Sequence, residues 1–399
     1  MFDPIKASKE IKDSYIDYIT TTFDMADTDY EREFRKELQT DGMVASGPFL
    51  DIGGSYETGH TLRELIQAQK ASILFENLEP VAEKERELKL DRPLYQHQET
   101  AMLKADKGEN LVVTTGTGSG KTESFLLPII NHLLREQEAG TLSAGVRAII
   151  IYPMNALAND QMKRMRALFK NYPQICYGVY NGNTEHTQSK ALAEYHRTYH
   201  DEAGEPIDPA PNEIISREIM QEKPPHILIT NYSMLEYMML RPKDDAVFSG
   251  AKLKFIVLDE AHIYKGATGM ETSLLMRRLR ARISEPDSVQ YILTSATLGG
   301  PDADGDILSF AEKLCGVAFQ RTGIIRSTEK RPAMEDFLDF APALFEELQR
   351  SPDISSVLAR YHADFAPVGS EGEKLYALFL HSRLFALLRK VAHQPITVA

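Results

Sequence analysis

Hydrophobic residues between Leu94 and Ile325 occur in short unbroken runs, each followed by a longer stretch with helical spacing. The runs are rich in Val, Ile and Leu and do not alternate with polar residues, which is the pattern of strands buried on both faces. Strands that alternate with helices predict an α/β fold with a doubly wound parallel sheet. Six runs have this pattern: NLVVTT (110–115), RAIIIYP (147–153), ICYGVY (175–180), HILITN (226–231), KFIVLDE (254–260) and VQYILTSA (289–296).

The regions on either side of this pattern lack such runs. Residues 1–90 are acidic and have mostly helical spacing, and residues 326–399 have helical apolar spacing. We therefore predict three parts. A helical accessory region over 1–90 and a helical segment over 326–399 flank an α/β domain over 91–325.

Composition limits the classes of protein to consider. No run approaches 18 consecutive apolar residues, so we expect no membrane span. The start lacks a basic segment leading into an apolar one, and Cys176 and Cys315 are too few for a disulfide framework, so we expect a cytoplasmic setting. The net charge of −13 argues against a surface built for bulk nucleic-acid binding. The stretches 163–170 and 277–282 are local exceptions, because both are basic. Each has two interpretations: a nucleic-acid contact or a solvated helix face.

A glycine-rich loop over residues 115–122 reads Thr-Gly-Thr-Gly-Ser-Gly-Lys-Thr, between a predicted strand and a predicted helix. Bare backbone lets N–H groups turn around a polyphosphate, and the helix N-terminus adds a positive dipole. Lys121 can reach the terminal phosphates, and the Thr122 hydroxyl can ligate Mg²⁺. Thr115 stands where the strict phosphate-loop pattern has glycine. The predicted nucleotide-binding residues of this loop are Thr117, Gly118, Ser119, Gly120, Lys121 and Thr122.

An acidic pair, Asp259 and Glu260, ends the apolar run FIVL. At the carboxyl edge of a sheet, Asp259 can bind Mg²⁺ through water and Glu260 can deprotonate an attacking water. Each feature also has a plain structural interpretation: a glycine-rich turn without nucleotide, and a turn at a strand end. Together they predict a Mg²⁺-dependent nucleoside triphosphatase.

Four further stretches narrow this class. In LYQHQETAM (94–102), Gln98 can read an adenine edge through its amide. The stretches IYPMNALANDQ (151–161) and ITNYSMLEYMMLRP (229–242) follow strands, where helix N-termini and small polar groups can meet a nucleic-acid backbone. In LTSATLGG (293–300), Ser295 and Thr297 can couple the acidic pair to bound nucleic acid.

The order and spacing of these stretches over 94 to about 320 resemble the superfamily 2 helicases of the DEAH-box kind. The resemblance implies a RecA-like P-loop domain that binds ATP and Mg²⁺, the latter through Thr122 and Asp259. It implies catalytic roles for the following residues: Lys121, Asp259, Glu260 and His262. It also assigns Gln98 to the nucleotide and the following residues to nucleic acid: Asn155, Thr230, Asn231, Ser295 and Thr297.

The segment DEAHIYKGATGMETSLLMRRLRAR (259–282) is similar to the YprA/MrfA-like bacterial DNA helicases. That family usually has a lysine in motif Ia where Asn155 stands here. Residues 1–90 and the loop TGTGSGKTESFLLPI (115–129) are similar to large bacterial defence-associated helicases, including those of Druantia- and DISARM-type antiphage systems. These resemblances imply DNA as a partner, no membrane, defence-system partner proteins, and a role in antiphage defence or DNA repair.

A helicase of this class needs two RecA-like domains, and the second supplies arginine fingers to the shared site. No stretch after residue 300 resembles the Gln-x-x-Gly-Arg-x-x-Arg motif VI of that second domain. We therefore expect the chain to be an amino-terminal part that hydrolyses ATP weakly by itself. The alternative is a binding or scaffold module in a defence complex, in which nucleotide acts only as a switch.

Overall fold

The computed structural model describes the following residues: 4–23, 25–40, 42–47, 49–50, 56–79, 88–116, 118–170, 172–201, 204–296, 299, 301–328, 330, 337–351, 353–366, 370–391 and 396–397. Its contacts divide the chain into two units, one formed by residues 56–329 and the other by residues 1–55 together with 330–399.

The strands are β1 (Phe49–Leu50), β2 (Thr58–Thr61), β3 (Pro93–Tyr95), β4 (Leu111–Thr114), β5 (Ala148–Tyr152), β6 (Tyr177–Tyr180), β7 (Glu213–Ile214), β8 (Ile227–Asn231), β9 (Phe255–Leu258), β10 (Gln290–Ser295), β11 (Ile324–Arg326) and β12 (Ile396–Thr397). The α-helices are α1 (Pro4–Thr22), α2 (Thr28–Gln39), α3 (Leu62–Gln67), α4 (Gln96–Asp106), α5 (Lys121–Glu138), α6 (Asn155–Phe169), α7 (Gln188–Thr198), α8 (Arg217–Glu222), α9 (Tyr232–Leu240), α10 (Asp245–Phe248), α11 (Gly266–Arg282), α12 (Asp304–Cys315), α13 (Pro342–Arg350), α14 (Ile354–Arg360), α15 (Glu371–His381) and α16 (Arg383–Val391).

An eight-stranded sheet forms the centre of the unit 56–329, in the order β11-β4-β10-β9-β5-β8-β6-β7. Every pairing in this sheet is parallel. All six predicted runs form strands of the sheet, so the predicted α/β fold is confirmed. Strands β7 and β11 were not predicted, because two or three residues are too few to show an apolar run.

Both faces of the sheet are buried, as unbroken apolar strands require. In β4, Leu111 and Val113 belong to one hydrophobic core and Val112 belongs to the other. In β5, Ile150 belongs to the first of these cores and Ile149 belongs to the second. Successive side chains of a strand point to opposite faces, so each helical layer receives alternate residues.

The strand order decides which loops meet at the carboxyl edge. Strands β4, β10 and β9 are neighbours. The glycine-rich loop after β4, Ser295 at the end of β10 and the acidic pair after β9 therefore lie side by side. Strands β5 and β8 are also paired, and Tyr152 at the end of β5 lies opposite Asn231. The stretches predicted to bind nucleotide and nucleic acid therefore occupy neighbouring parts of one edge.

The contacts place a unit boundary near residue 56, whereas the sequence predicts a domain boundary near residue 90. Leu62, Phe75 and Leu78 are buried in the same core as Phe125 and Leu134 of α5. Helical spacing predicts that a segment has an apolar face, but it does not say which element covers that face. The contacts give two units, and the three-part division stays a prediction.

The second unit contains helices over residues 342–391, as the helical spacing predicted. Leu344, Leu348, Leu358 and Leu378 form a small buried cluster between α13, α14 and α15. Across the described part of both units, no helix combines the length and the apolar character needed to cross a membrane.

Candidate nucleotide-binding site

The glycine-rich loop connects β4 to α5 at the carboxyl edge of the sheet. Gly118 and Gly120 have φ angles of +75° and +73°, a left-handed conformation that is accessible to glycine without strain. Ser119 is fully buried, and its Oγ donates a hydrogen bond to Thr115 Oγ1 over 2.7 Å. The Ser119 hydroxyl therefore stabilises the loop conformation. The groups of the loop that can bind a ligand are its backbone N–H groups. The predicted binding residue Thr117 lies outside the described residues.

Lys121 and Thr122 begin α5, with Gly120 as the N-cap. The first four N–H groups of a helix have no partner inside it, and they carry the positive end of the helix dipole. Lys121 Nζ lies 3.1 Å from Glu260 Oε1. The side chains of this pair are only 11% and 25% exposed, so both charges meet in a shielded cleft. The donor set fits a polyphosphate: a cation, a hydroxyl and free backbone N–H groups.

The acidic pair follows β9, as predicted. Asp259 accepts a hydrogen bond from Thr294 Oγ1 of β10, and burial raises the pKa of its carboxyl. A shielded carboxylate whose pKa is raised gains stability from a bound cation. Glu260 has a φ of +48°, a strained conformation for a residue with a side chain. This backbone turn brings the Glu260 carboxylate to Lys121.

His262 links the acidic pair to β10. Its Nδ1 lies 3.1 Å from Ser295 Oγ and 3.3 Å from Glu260 Oε2. Ser295 is fully buried, so its hydroxyl contacts His262 from the interior of the domain. This arrangement places one imidazole between the last residue of β10 and the predicted catalytic carboxylate. Thr297, predicted with Ser295, lies outside the described residues.

Gln98 contacts the glycine-rich loop. Its Nε2 donates to the Gly120 carbonyl over 3.0 Å, and its Oε1 accepts from the Tyr95 N–H over 2.9 Å. The side-chain amide is thus bonded at both ends within the protein. An amide has two donors and two lone pairs, so one of each is left for a ligand. Adenine recognition by Gln98 stays a prediction.

The predicted nucleic-acid residues divide into two kinds. Asn231 Nδ2 donates to Asn155 Oδ1 over 2.8 Å, so the last residue of β8 meets the first residue of α6. Thr230 is 1% exposed, and its hydroxyl donates to the Tyr180 carbonyl over 2.7 Å. Thr230 thus stabilises the sheet, whereas Asn155 and Asn231 are partly exposed.

Arginines of the two basic stretches form ion pairs with acidic side chains: Arg164 with Glu123, Arg166 with Glu213, Arg278 with Glu236, Arg280 with Asp287 and Arg282 with Asp245. Their charge is balanced within the protein, which favours a structural role over nucleic-acid contact. Arg166 and Glu213 illustrate this, because the Glu213 side chain is only 1% exposed.

Several residues of the site were not predicted from the sequence. Thr294 binds Asp259, and the phenols of Tyr152 and Tyr264 are buried without a hydrogen-bond partner among the described residues. Burial, and after it the charge of Asp259, raises the pKa of both tyrosines. His97 hydrogen-bonds the loop. These four residues lie within a few positions of predicted site residues along the chain. The sequence pattern does not say which of their side chains point into the site.

Replacing Gly120 with alanine will disturb the loop more than replacing Gly118. Both residues have positive φ, so each alanine is expected to cost about 1–2 kcal/mol of backbone strain. A Cβ at Gly120 would lie 2.4 Å from Gln98 Nε2, whereas one at Gly118 would meet nothing within 4 Å. We therefore expect the free energy of unfolding of G120A to be ~1–3 kcal/mol lower than that of G118A. Denaturant unfolding measures this, and equal losses in the two variants would contradict it.

Comparison with known proteins identifies relatives. The chain is 32% identical over 413 residues to Druantia protein DruE of Escherichia coli (strain UMEA 4076-1), which covers 81% of this chain and 22% of that protein. It is 30% identical over 219 residues to the uncharacterized ATP-dependent helicase YprA of Bacillus subtilis (strain 168), which covers 54% of this chain and 24% of that protein. The chain thus spans less than a quarter of the length of DruE and about a quarter of YprA.

A structure of the DEAD-box helicase Mss116 bound to ssRNA and UDP-BeF superposes with a TM-score of 0.50 at 16% identity. The likeness covers 79% of this chain and 56% of that one, and it confirms the predicted RecA-like fold. The resemblances to YprA-like and Druantia-type helicases are confirmed by the two relatives. A family model for DEAD/DEAH box helicases matches residues 95–203 and 204–304, more than half of the chain. The chain belongs to the DEAD/DEAH box helicase family.

Proposed function

We propose that this chain is the ATP-binding first motor domain of a DNA helicase or translocase. The observation that carries the proposal is the convergence of Lys121, Asp259 and Glu260 at one edge of the sheet, with Lys121 Nζ 3.1 Å from Glu260. A structural turn needs neither a shielded lysine–glutamate pair nor a buried aspartate. The arrangement supplies the cation, metal ligand and base that phosphoryl transfer to water requires.

Each residue has a role in this proposal. Lys121 and the N–H groups at the start of α5 bind the phosphates. Thr122 and Asp259 would hold Mg²⁺, which when bound neutralises phosphate charge. Glu260 accepts the proton of the attacking water. His262 hydrogen-bonds Ser295 at the end of β10 and lies beside Glu260, so its imidazole stands between this site and the loop that follows β10. A second RecA-like domain supplies the arginine fingers.

DNA is the proposed substrate, and antiphage defence or DNA repair is the proposed setting. The segment after the acidic pair resembles bacterial DNA helicases, and the similarity to the Druantia protein DruE supports a role in defence. Asn155 at the start of α6 and Asn231 at the end of β8, whose side chains are hydrogen-bonded, are proposed to contact the nucleic-acid backbone. A cytoplasmic setting and defence-system partner proteins belong to the same proposal.

A nucleotide-switched scaffold is the second candidate function. The net charge of −13 and the ion-paired arginines of the basic stretches favour it, because they leave little positive charge for DNA. In this function, ATP binding changes the affinity for a partner protein, and no DNA-dependent turnover occurs.

We expect DNA to stimulate ATP hydrolysis by the protein in its longest natural form. The rate should rise to a plateau with added single- or double-stranded DNA, and added salt should weaken the apparent DNA affinity because phosphate contacts release counterions. An enzyme-coupled phosphate assay measures this, with E260Q to show that the turnover belongs to this site. Turnover without stimulation by either form of DNA contradicts the motor proposal. Stimulation by RNA alone contradicts DNA as substrate.

A further inference from the structure

Two consecutive side chains at the start of α4 hold two consecutive carbonyls of the glycine-rich loop. His97 Nε2 lies 2.9 Å from the Ser119 carbonyl, and Gln98 Nε2 donates to the Gly120 carbonyl over 3.0 Å. A carbonyl oxygen only accepts hydrogen bonds, so the imidazole proton of His97 is on Nε2. The loop is therefore held from one side by two donors on adjacent residues.

Holding these carbonyls also orients N–H groups. In a planar trans peptide, the C=O and the following N–H point in opposite directions. The Ser119 carbonyl shares its peptide with the Gly120 N–H, and the Gly120 carbonyl shares its peptide with the Lys121 N–H. Fixing both carbonyls toward α4 therefore directs both N–H groups away from it. These N–H groups lie at the start of α5, where a helix binds anions.

An aromatic cluster, defined here as Tyr56, Tyr95 and His97, holds the imidazole in place. The Tyr95 ring stacks on His97 at 5.6 Å with an interplanar angle of 14°, and the Tyr56 ring meets it edge-on at 5.9 Å and 80°. A Cβ on Gly116 would lie 3.0 Å from Tyr56 Oη, so the cluster also contacts the start of the loop.

The surroundings of His97 favour the neutral ring. His97 is 2% exposed, and its Nδ1 has no hydrogen-bond partner among the described residues. Burial lowers the pKa of this imidazole, while the bond to Ser119 opposes the effect. A neutral ring with its proton on Nε2 is a fixed donor, since the second nitrogen has no acceptor to which a proton could be directed.

We propose that His97 is a positioning residue for nucleotide binding: its Nε2–H fixes the Ser119 carbonyl and so aims the loop N–H groups at the phosphates. This inference rests on the proposed ATP-binding function and extends it to a residue next to Gln98. His97 acts through the loop backbone and does not itself touch the nucleotide.

Three substitutions separate the hydrogen bond from the packing. In H97Q the side-chain amide nitrogen occupies about the position of Nε2, so the donor is retained while the ring is lost. In H97N the amide nitrogen corresponds to Nδ1 and does not reach the carbonyl. H97F keeps a ring that can stack on Tyr95 but has no donor. The full chain is used for all three.

We expect H97N and H97F to bind fluorescently labelled ADP about 3- to 10-fold more weakly than the unchanged protein, the effect of one lost hydrogen bond. H97Q should bind within about twofold of it, because an amide N–H to the same carbonyl replaces the lost bond. Fluorescence anisotropy measures the affinity, and the thermal midpoint without nucleotide reports the fold.

The outcomes distinguish this inference from the proposed function. Unaltered affinity in H97F overturns the inference while leaving ATP binding intact. Equal losses in all three variants, together with lowered thermal midpoints, assign His97 to packing alone and also overturn it. If the unchanged protein binds neither ADP nor ATP with Mg²⁺, the proposed function fails and the inference fails with it.

Discussion

Replacing Glu260 with glutamine will lower the rate of ATP hydrolysis by about 10²- to 10⁴-fold, the usual contribution of a general base. The amide has the shape of the carboxylate and can still accept a hydrogen bond from Lys121 Nζ, which lies 3.1 Å from Glu260 Oε1. It cannot take a proton from water. We therefore expect kcat to fall while the affinity for ATP stays within about threefold, since the phosphate-binding groups are unchanged.

The matched control for E260Q is E271Q, which makes the same chemical change on the exposed side of α11. Steady-state hydrolysis and equilibrium binding of a slowly hydrolysed ATP analogue are measured for both variants. Retention of the full rate by E260Q would show that another group accepts the proton, and the catalytic assignment of Glu260 would be wrong. An equal fall in E271Q would trace the effect to net charge.

Replacing Lys121 with alanine will weaken the binding of ATP by about 10- to 150-fold, which corresponds to the loss of a charge-assisted hydrogen bond worth about 1.5–3 kcal/mol. The ammonium has three donors, so in the intact protein it can hold Glu260 and a phosphate oxygen together. Its side chain is 11% exposed, and this shielding strengthens its attraction for phosphate. Removing it also leaves Glu260 without its cationic partner.

K107A is the control for K121A, because Lys107 is an exposed lysine at the end of α4. Isothermal titration with ATP and Mg²⁺ gives the affinities, and thermal unfolding without nucleotide shows whether each variant is folded. ATP affinity equal to that of the unchanged protein in a folded K121A would mean that the glycine-rich loop does not bind the terminal phosphates.

Local patterns were sufficient to predict the parallel sheet and the edge of the sheet at which the candidate site residues lie. Each apolar run formed its strand because a strand buried on both faces must be apolar throughout. Lys121 and Asp259 were expected at one edge because the segments that carry them follow β4 and β9, and the carboxyl ends of parallel strands share one edge. Such inferences depend only on neighbours along the chain.

The unit boundary could not be read from spacing alone. Residues 62–78 have the helical spacing expected of an accessory region, yet Phe75 and Leu78 are buried with Phe125. An apolar face predicts burial without naming its partner. The arginines of α11 show the same limit, because Arg278 pairs with Glu236, which lies in a different helix. The partner of a charge is set by packing.

The amino-acid sequence by itself determined the order of strands and helices, the position of Lys121 and Thr122 at the start of a helix after a glycine-rich loop, and the family. These properties are local, since they require a residue type at a set distance from a strand end. Tertiary structure alone decided that Thr230 and Ser295 turn inward, and that His97 reaches the Ser119 carbonyl. The direction of a side chain depends on which distant backbone groups need a hydrogen-bond partner, and only the assembled fold brings those groups within reach.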